Sequence, residues 1–144
     1  MEICEPITAS DWDAYYDLRY RILREPWGQE RGTERDVSDA QSINRMIVRD
    51  GTVIAVCRLH FNTPDEAQIR YMAVETTVQG KGVGLTLMAH MEEIARARGA
   101  ERIILEAREN AVTFYKRQGY VITKESYLLF GVIQHYTMEK FVHA

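Results

Sequence analysis

Three alternating glycines in the segment Gln-Gly-Lys-Gly-Val-Gly, residues 79–84, are the clearest sign of chemistry in this sequence. Glycine adopts positive φ readily and lets the backbone approach a bulky ligand closely. The segment is predicted to open directly into a helix, whose first N–H groups and positive dipole end bind anions such as a pyrophosphate. A glycine-rich turn that merely begins a helix is the alternative interpretation.

The glycine spacing excludes the two commonest phosphate-binding motifs. A P-loop requires a glycine five residues before Gly80, where this chain has Glu75. A dinucleotide fingerprint requires two residues between its second and third glycines, whereas only Val83 separates Gly82 from Gly84. The anion is therefore held by a different kind of turn.

Length and composition predict one domain, residues 1–144, in a cytoplasmic protein. The net charge of −3 gives no general attraction to nucleic acid or to a membrane surface, and no apolar run reaches membrane-spanning length. Cys4 and Cys57 lack disulfide or metal-ligand spacing, so we expect two buried free thiols and no metal. The sequence leaves the oligomeric state open, a homodimer included.

The periodicity of apolar residues predicts strands mixed with helices. Ser10 and Asp13 are predicted to form the capping box of the first helix, Asp50-Gly51 a hairpin turn, Gly99 a helix C-cap, and residues 25–41 a loop. The predicted strands are residues 3–8, 43–49, 53–61, 68–74, 102–107, 120–124 and 135–141, and the predicted helices are residues 11–24, 84–98 and 110–118.

A second pattern follows the glycine turn, after the predicted helix and strand. It is the stretch Asn-Ala-Val-Thr-Phe-Tyr-Lys-Arg-Gln-Gly-Tyr, residues 110–120. The first motif matches Gln/Arg-x-x-Gly-x-Gly/Ala at Gln79, Gly82 and Gly84. Together and in this order, the two motifs resemble the signatures of the GCN5-related N-acetyltransferases, the GNAT superfamily. The resemblance extends over nearly the whole chain.

This resemblance implies an α/β (α+β) fold with a twisted, mixed, mostly antiparallel sheet of six to seven strands, a splayed central pair of strands and about four helices. It also implies an acyltransferase with acetyl-CoA as cosubstrate. Splayed strands leave backbone groups unpaired, which the amide-rich pantetheine arm can satisfy. The positions that the family uses for the cofactor correspond to Met72, Ala73, Val74, Gln79, Gly80, Lys81, Gly82, Val83, Gly84 and Asn110.

Direct acetyl transfer needs a neutral amine, a polarised thioester carbonyl and a proton for the departing thiolate. Tyr115 matches the family's usual general acid, and a phenol with a pKa of about 10 can transfer a proton to a thiolate. A backbone N–H near Val74 can stabilise the oxyanion. A core tyrosine packed beside Phe114 is the alternative interpretation of Tyr115.

At four more positions, Arg24, Arg70, Arg108 and His135, the sequence resembles the branch of the family that includes the glyphosate N-acetyltransferases. That resemblance implies that Arg24, Arg70 and Arg108 grip the anionic groups of a small substrate, and that His135 takes the amine proton. A guanidinium fits a carboxylate or phosphonate by two hydrogen bonds, and an arginine in an apolar strand is costly without an anion. Internal pairing of the arginines, for example of Arg108 with Glu106, is the alternative.

His135 is the least settled of these residues. Neighbouring arginines would keep its ring neutral, as a base requires, but a lone histidine in a strand is more often structural. Members of the branch often have proline before this histidine, where this chain has Gln134. The position of the side chain is therefore less certain than its identity.

The leading hypothesis is an N-acetyltransferase that moves acetyl directly from acetyl-CoA to the primary or secondary amine of a small acidic metabolite of amino acid, phosphonate or phosphate type. No nucleic acid or membrane partner is expected. An acetyltransferase for protein N-termini or lysines is one alternative, and a non-catalytic module that only binds acyl-CoA is the other. Loss of turnover on replacing Tyr115 or His135 distinguishes an enzyme from a module.

Overall fold

A computed structural model describes residues 1–142 and contains, within them, seven strands and three α-helices. The strands are β1 (Glu2–Cys4), β2 (Ile43–Arg49), β3 (Thr52–Thr63), β4 (Glu66–Val74), β5 (Arg102–Arg108), β6 (Val121–Leu129) and β7 (Ile133–Phe141). The helices are α1 (Ala9–Leu23), α2 (Val83–Ala97) and α3 (Val112–Lys116). Short 3-10 turns occupy Glu25–Trp27, Asp39–Gln41, Thr76–Val78 and Glu109–Ala111.

The strands form one sheet in the order β1-β2-β3-β4-β5-β7-β6. The β1–β2, β2–β3, β5–β7 and β6–β7 pairs are antiparallel, and β4 pairs with β5 in parallel. The predicted mixed, mostly antiparallel α/β fold is therefore confirmed. The described residues contain three α-helices and four short 3-10 turns. The helix predicted over residues 110–118 divides into a 3-10 turn and the five-residue α3.

The described residues form two compact units. Whether they act as the single domain expected from the sequence is not tested by this division, so that expectation stays a prediction. The first unit contains Met1–His60 and Tyr71–Met91, and the second contains Phe61–Arg70 and the described residues from Glu92 onward. The core of the first unit is a cluster formed by α1, β2, β3 and β4. Its members are Tyr15, Leu18, Met46, Val56 and Ala73.

The capping box of α1 lies two residues earlier than predicted. The Thr8 hydroxyl accepts the Asp11 N–H at 3.0 Å, and the Asp11 carboxylate accepts the Thr8 N–H at 3.1 Å. The sequence contains two overlapping Ser/Thr-x-x-Asp patterns, and the earlier one caps the helix because Thr8 keeps an extended backbone. The prediction of Ser10 as the cap was wrong, and Ser10 lies inside α1.

The hairpin between β2 and β3 forms as predicted. Asp50 and Gly51 both have positive φ, 52° and 77°, which is the geometry of a tight turn between twisted strands. Cys57 is buried as expected, but Cys4 is partly exposed at the short edge strand β1, and both thiols are free.

In the second unit, β5 pairs with β4 on one side and with β7 on the other. Ile103, Leu105 and Ala107 are at most 2% exposed, whereas the residues between them are only half-buried. The compact apolar run of residues 102–107 predicts a strand buried on both faces, whereas the structure shows one fully buried face. The other face of β5 carries half-buried polar side chains, among them Glu106 and Arg108.

Candidate active site

The glycine turn has the backbone geometry that its sequence predicts. Gly80 and Gly82 have φ of 81° and 82°, and a side chain on either would meet open space. The helix α2 begins immediately afterwards at Val83, with Gly84 buried in its first turn and Lys81 exposed in the turn itself. The first N–H groups of α2 have no partner within the helix, so this end suits an anion.

Gln79 ties the glycine turn to the end of β4. Its side-chain amide donates a hydrogen bond of 2.9 Å to the Val74 carbonyl, and its backbone N–H lies 3.4 Å from the carbonyl of Thr76. The Val74 carbonyl therefore has a partner within the protein. Before it, Ala73 is buried and Met72 is half-buried at the end of β4.

Three of the predicted site residues lie on one face of the sheet in the second unit. Arg108 of β5 is directly opposite His135 of β7 in the antiparallel register. Residues in such positions point to the same face, with Cβ atoms about 5 Å apart. Ile69 of β4 is in register with Leu105 on the buried face, so Arg70 and Glu106 both belong to the face of Arg108.

Glu106 adds a carboxylate to this set of basic residues. Both of its carboxylate oxygens accept from the hydroxyl of Thr137, at 3.0 and 2.9 Å, and Thr137 is the residue opposite it on β7. In the sequence, Glu106 was interpreted only as an internal partner of Arg108, and Thr137 was not singled out. The period of two along β5 places Glu106 on the same face as Arg108 and could have identified it.

His135 is held in one ring orientation. Its side chain is 3% exposed, and Nδ1 lies 3.0 Å from the Ile133 carbonyl. A carbonyl only accepts, so Nδ1 donates and carries the proton, which assigns the lone pair of the neutral ring to Nε2. The ring of Tyr127 stacks on the imidazole, with centroids 4.4 Å apart and planes inclined by 14°. The imidazole therefore has the tautomer that a base acting through Nε2 needs.

Tyr115 is buried in α3 in a group of aromatic rings. It is 7% exposed, and its ring packs edge-on against Phe114 and Tyr120 at centroid distances of 5.0 and 5.9 Å. Asn110, the first residue of the second motif, is exposed in the 3-10 turn that precedes α3. Burial of Tyr115 fits either a proton donor inside a site or a core residue.

Arg24 lies in the first unit, at the C-cap of α1. Its Nε donates to the Thr33 carbonyl at 3.1 Å and its Nη1 to the Leu23 carbonyl at 3.0 Å. The guanidinium carbon is 5.9 Å from the centre of the Tyr71 ring. Arg24 thus helps to hold the long loop that follows α1.

A buried ionic cluster in the first unit was not predicted. Asp39 accepts from Arg19 at 2.9 Å and from Arg58 at 3.0 Å, and all three residues are at most 2% exposed. Both guanidiniums lie over the ring of Tyr71, at 4.0 and 5.2 Å. Tyr71 has a φ of 57°, an uncommon value for a residue other than glycine. Its hydroxyl donates to Asp36 at 3.2 Å.

Comparison with known proteins identifies the family. Residues 12–120, more than half of the chain, match the Acetyltransferase (GNAT) family. The chain belongs to this family. It is therefore a GNAT acyltransferase whose acetyl donor is acetyl-CoA. The narrower resemblance to the glyphosate N-acetyltransferase branch is not established by this match.

Individual relatives of this GNAT protein differ in what they acetylate. An aminoalkylphosphonate N-acetyltransferase from Salmonella typhimurium is 29% identical, over 90% of this chain and 91% of the relative. A [ribosomal protein bS18]-alanine N-acetyltransferase from Haemophilus influenzae is 27% identical, over 83% of this chain and 82% of the relative. The crystal structure of an aminoglycoside 6'-N-acetyltransferase complexed with coenzyme A aligns with a TM-score of 0.82 at 16% identity, covering 99% of this chain and 97% of that protein.

No group of three or more His, Cys, Asp or Glu side chains within residues 1–142 is placed to hold a metal ion. No helix in the same residues is both long enough and apolar enough to cross a membrane.

Proposed function

We propose that this GNAT enzyme acetylates the primary or secondary amine of a small acidic metabolite of amino acid, phosphonate or phosphate type. The observation that carries the proposal is the shared face of Arg70, Arg108 and His135 in the second unit. The name of the Salmonella relative describes a substrate with an amine and a phosphonate in one small molecule. The glyphosate-type resemblance of the sequence supports the same class of acceptor.

The charges on this face suit both ends of such a molecule. Arg70 and Arg108 supply planar donors for a carboxylate or phosphonate. Glu106 supplies a carboxylate that attracts the acceptor's ammonium group before its proton is lost. Arg24, the third arginine of the resemblance, is proposed to bind the acceptor as well.

We assign the donor side of the reaction to the glycine turn and the end of β4. Open space at Gly80 and Gly82, together with the start of α2, fits a pyrophosphate, which the N–H groups of residues 80–84 would bind. Gln79 is proposed to fix the turn, and Lys81 to add charge. The backbone of Met72, Ala73 and Val74 is proposed to pair with the pantetheine arm, and Asn110 to contact the cofactor. When bound, acetyl-CoA supplies an activated acyl group as a thioester.

We propose one group to accept a proton, one to stabilise the oxyanion and one to donate a proton. Nε2 of His135 accepts a proton from the ammonium group, directly or through a water molecule, and leaves a neutral amine. The Val74 N–H is proposed to stabilise the oxyanion while the new C–N bond forms. Tyr115 gives its proton to the departing thiolate as the C–S bond breaks, and the proton that the nitrogen loses on becoming an amide returns to the phenolate, directly or through water.

A second candidate substrate is a protein N-terminus. It is favoured by the Haemophilus relative, whose printed activity is acetylation of a ribosomal protein alanine. A peptide acceptor has no need of two arginines beside the base, so it is the weaker candidate. A screen of aminophosphonates, acidic amino acids and short peptides, which follows the thiol released from acetyl-CoA, decides between the two classes.

Replacing Arg108 with glutamine is expected to raise KM for an acidic acceptor about tenfold or more and to change kcat much less, because the change removes a binding interaction. Initial rates at varied acceptor concentration measure both constants. Arg102→Gln is a matched control, since Arg102 is on the same strand but pairs with Glu66 at 2.8 Å. An unchanged KM in the Arg108 variant would contradict the acidic-acceptor proposal.

Replacing Gly82 with valine is expected to weaken coenzyme A binding at least tenfold, because a β-branched residue at positive φ costs about 1–2 kcal/mol and alters the turn. Isothermal titration calorimetry with coenzyme A measures the change. Gly51→Val has the same kind of strain, at a φ of 77° in the β2–β3 hairpin, and should leave the affinity nearly unaltered. Equal losses in the two variants would mean that general destabilisation is responsible.

Three broader expectations remain proposals. The chain is proposed to act as one domain over residues 1–144, of which 143 and 144 lie outside the described residues, and as a homodimer. A cytoplasmic location is proposed because both cysteines are free thiols, as expected in a reducing compartment.

A further inference from the structure

Strand β6 is an edge strand with exposed apolar side chains. It ends the strand order of the described sheet, with β7 as its neighbour. Val121, Ile122, Tyr127 and Leu128 are 59%, 39%, 45% and 54% exposed. Proteins usually protect such an edge, because unpaired backbone groups beside apolar side chains recruit another strand. The exposed edge and apolar side chains of β6 therefore suit pairing with a strand of another molecule.

The sequence of β6 identifies the partner as a second copy of the same chain. Residues 121–128 read Val-Ile-Thr-Lys-Glu-Ser-Tyr-Leu, and this pattern is chemically the same in both directions about the Lys124–Glu125 bond. In an antiparallel pair of two copies, apolar side chains face apolar ones, hydroxyls face hydroxyls, and charges face opposite charges. The facing pairs are Val121 with Leu128, Ile122 with Tyr127, Thr123 with Ser126, and Lys124 with Glu125.

The irregularities of β6 have the same symmetry. Thr123 is an extra residue between the Ile122–Met138 and Lys124–Thr137 pairs. On the other side of the central bond, two residues of β6, Ser126 and Tyr127, oppose the single residue His135 of β7. Bulges bend an edge and normally discourage pairing. Here a two-fold axis between residues 124 and 125 places the Thr123 bulge of one copy opposite the Ser126–Tyr127 bulge of the other, so the two strands bend at matching points.

We infer that β6 is a self-association surface on which two copies pair antiparallel about a two-fold axis at the Lys124–Glu125 bond. The central charges determine the direction of pairing. A parallel, in-register pair would place Lys124 against Lys124 and Glu125 against Glu125, which is unfavourable. The antiparallel pair is isologous, so each copy contributes both members of the pattern. This inference does not depend on the proposed substrate.

Charge reversal in the full-length protein tests the surface. Sedimentation across a concentration series should show a dimer for the unaltered chain and at least a tenfold weaker association for Lys124→Glu and for Glu125→Lys, because each places like charges opposite twice. The double variant Lys124→Glu/Glu125→Lys restores opposite charges and should recover the dimer. Arg98→Glu, which makes the same charge change as Lys124→Glu at an exposed position, should leave association unchanged.

A monomer at every concentration would overturn the inference. So would a dimer whose association is unchanged by both single charge reversals, or a double variant that does not regain dimerisation. Register is tested separately with the variant Val121→Cys/Leu128→Cys. Mild oxidation should link its two copies covalently, because the facing pair brings the thiols together, whereas Val121→Cys alone should stay unlinked. Equal linking of the two variants would exclude the proposed register.

Discussion

Replacing Tyr115 with phenylalanine is expected to lower kcat about a hundredfold or more while leaving coenzyme A affinity nearly unchanged. The change removes the proposed proton donor but keeps the ring, which packs between Phe114 and Tyr120. Folding should therefore be preserved, and the loss should appear in the chemical step. Single-turnover rates with acetyl-CoA, together with calorimetric titration of coenzyme A, measure the two quantities independently.

Tyr120→Phe is the matched control for this experiment. The Tyr120 hydroxyl donates to the carboxylate of Glu92 at 2.9 Å, a structural bond to a charged group worth about 1.5–3 kcal/mol. This variant should lose stability but keep kcat per folded molecule. If Tyr115→Phe retains full kcat, Tyr115 is a core residue and the acid must be sought elsewhere.

Replacing Asp39 with asparagine is expected to lower the free energy of unfolding by about 3–5 kcal/mol at pH 7, because it leaves two buried guanidiniums without their shared counterion. Arg19 and Arg58 are the groups affected, and their Nε atoms have no hydrogen-bond partner within residues 1–142. Urea denaturation measures the change. Asp13→Asn, at an exposed position of α1, should change stability by less than about 0.5 kcal/mol.

The Asp39 effect should depend on pH. Burial by itself raises the pKa of this carboxyl, but the charge of Arg19, the Asp36 N–H and Arg58 outweigh burial and hold the pKa below its ordinary value. The stabilisation is therefore present above the unfolded pKa of about 3.9 and is lost as the pH falls through the folded one. The gap between the unaltered chain and Asp39→Asn should narrow in acid, and a constant gap would contradict the assignment.

Features that depend on local sequence could be predicted. The glycine turn, the Asp50-Gly51 hairpin and the Gly99 cap depend on residues adjacent in the chain, and each forms with the expected positive φ. The predicted start of α1 was wrong because two capping patterns overlap there, and the local sequence does not show which of them caps the helix. Strand ends also differ by a few residues, since they depend on neighbouring strands.

Features that depend on distant residues could not be predicted from pattern alone. Asp39 is 20 residues from Arg19 and 19 from Arg58, and no spacing rule links such positions. The alignment of Arg108 with His135 likewise depends on the β5–β7 register, which a single sequence does not specify. Glu106 was visible in the sequence, but its place beside them follows only from that register.

His135 has two orienting contacts from its own hairpin. Its ring is fixed by Ile133, two residues earlier, and by Tyr127 on the facing strand. Because these two contacts lie within the β6–β7 hairpin, substitutions elsewhere in the chain leave both of them in place. A one-residue insertion ahead of His135 on β7 would rotate it to the opposite face, so sequence libraries should keep the length of this segment constant.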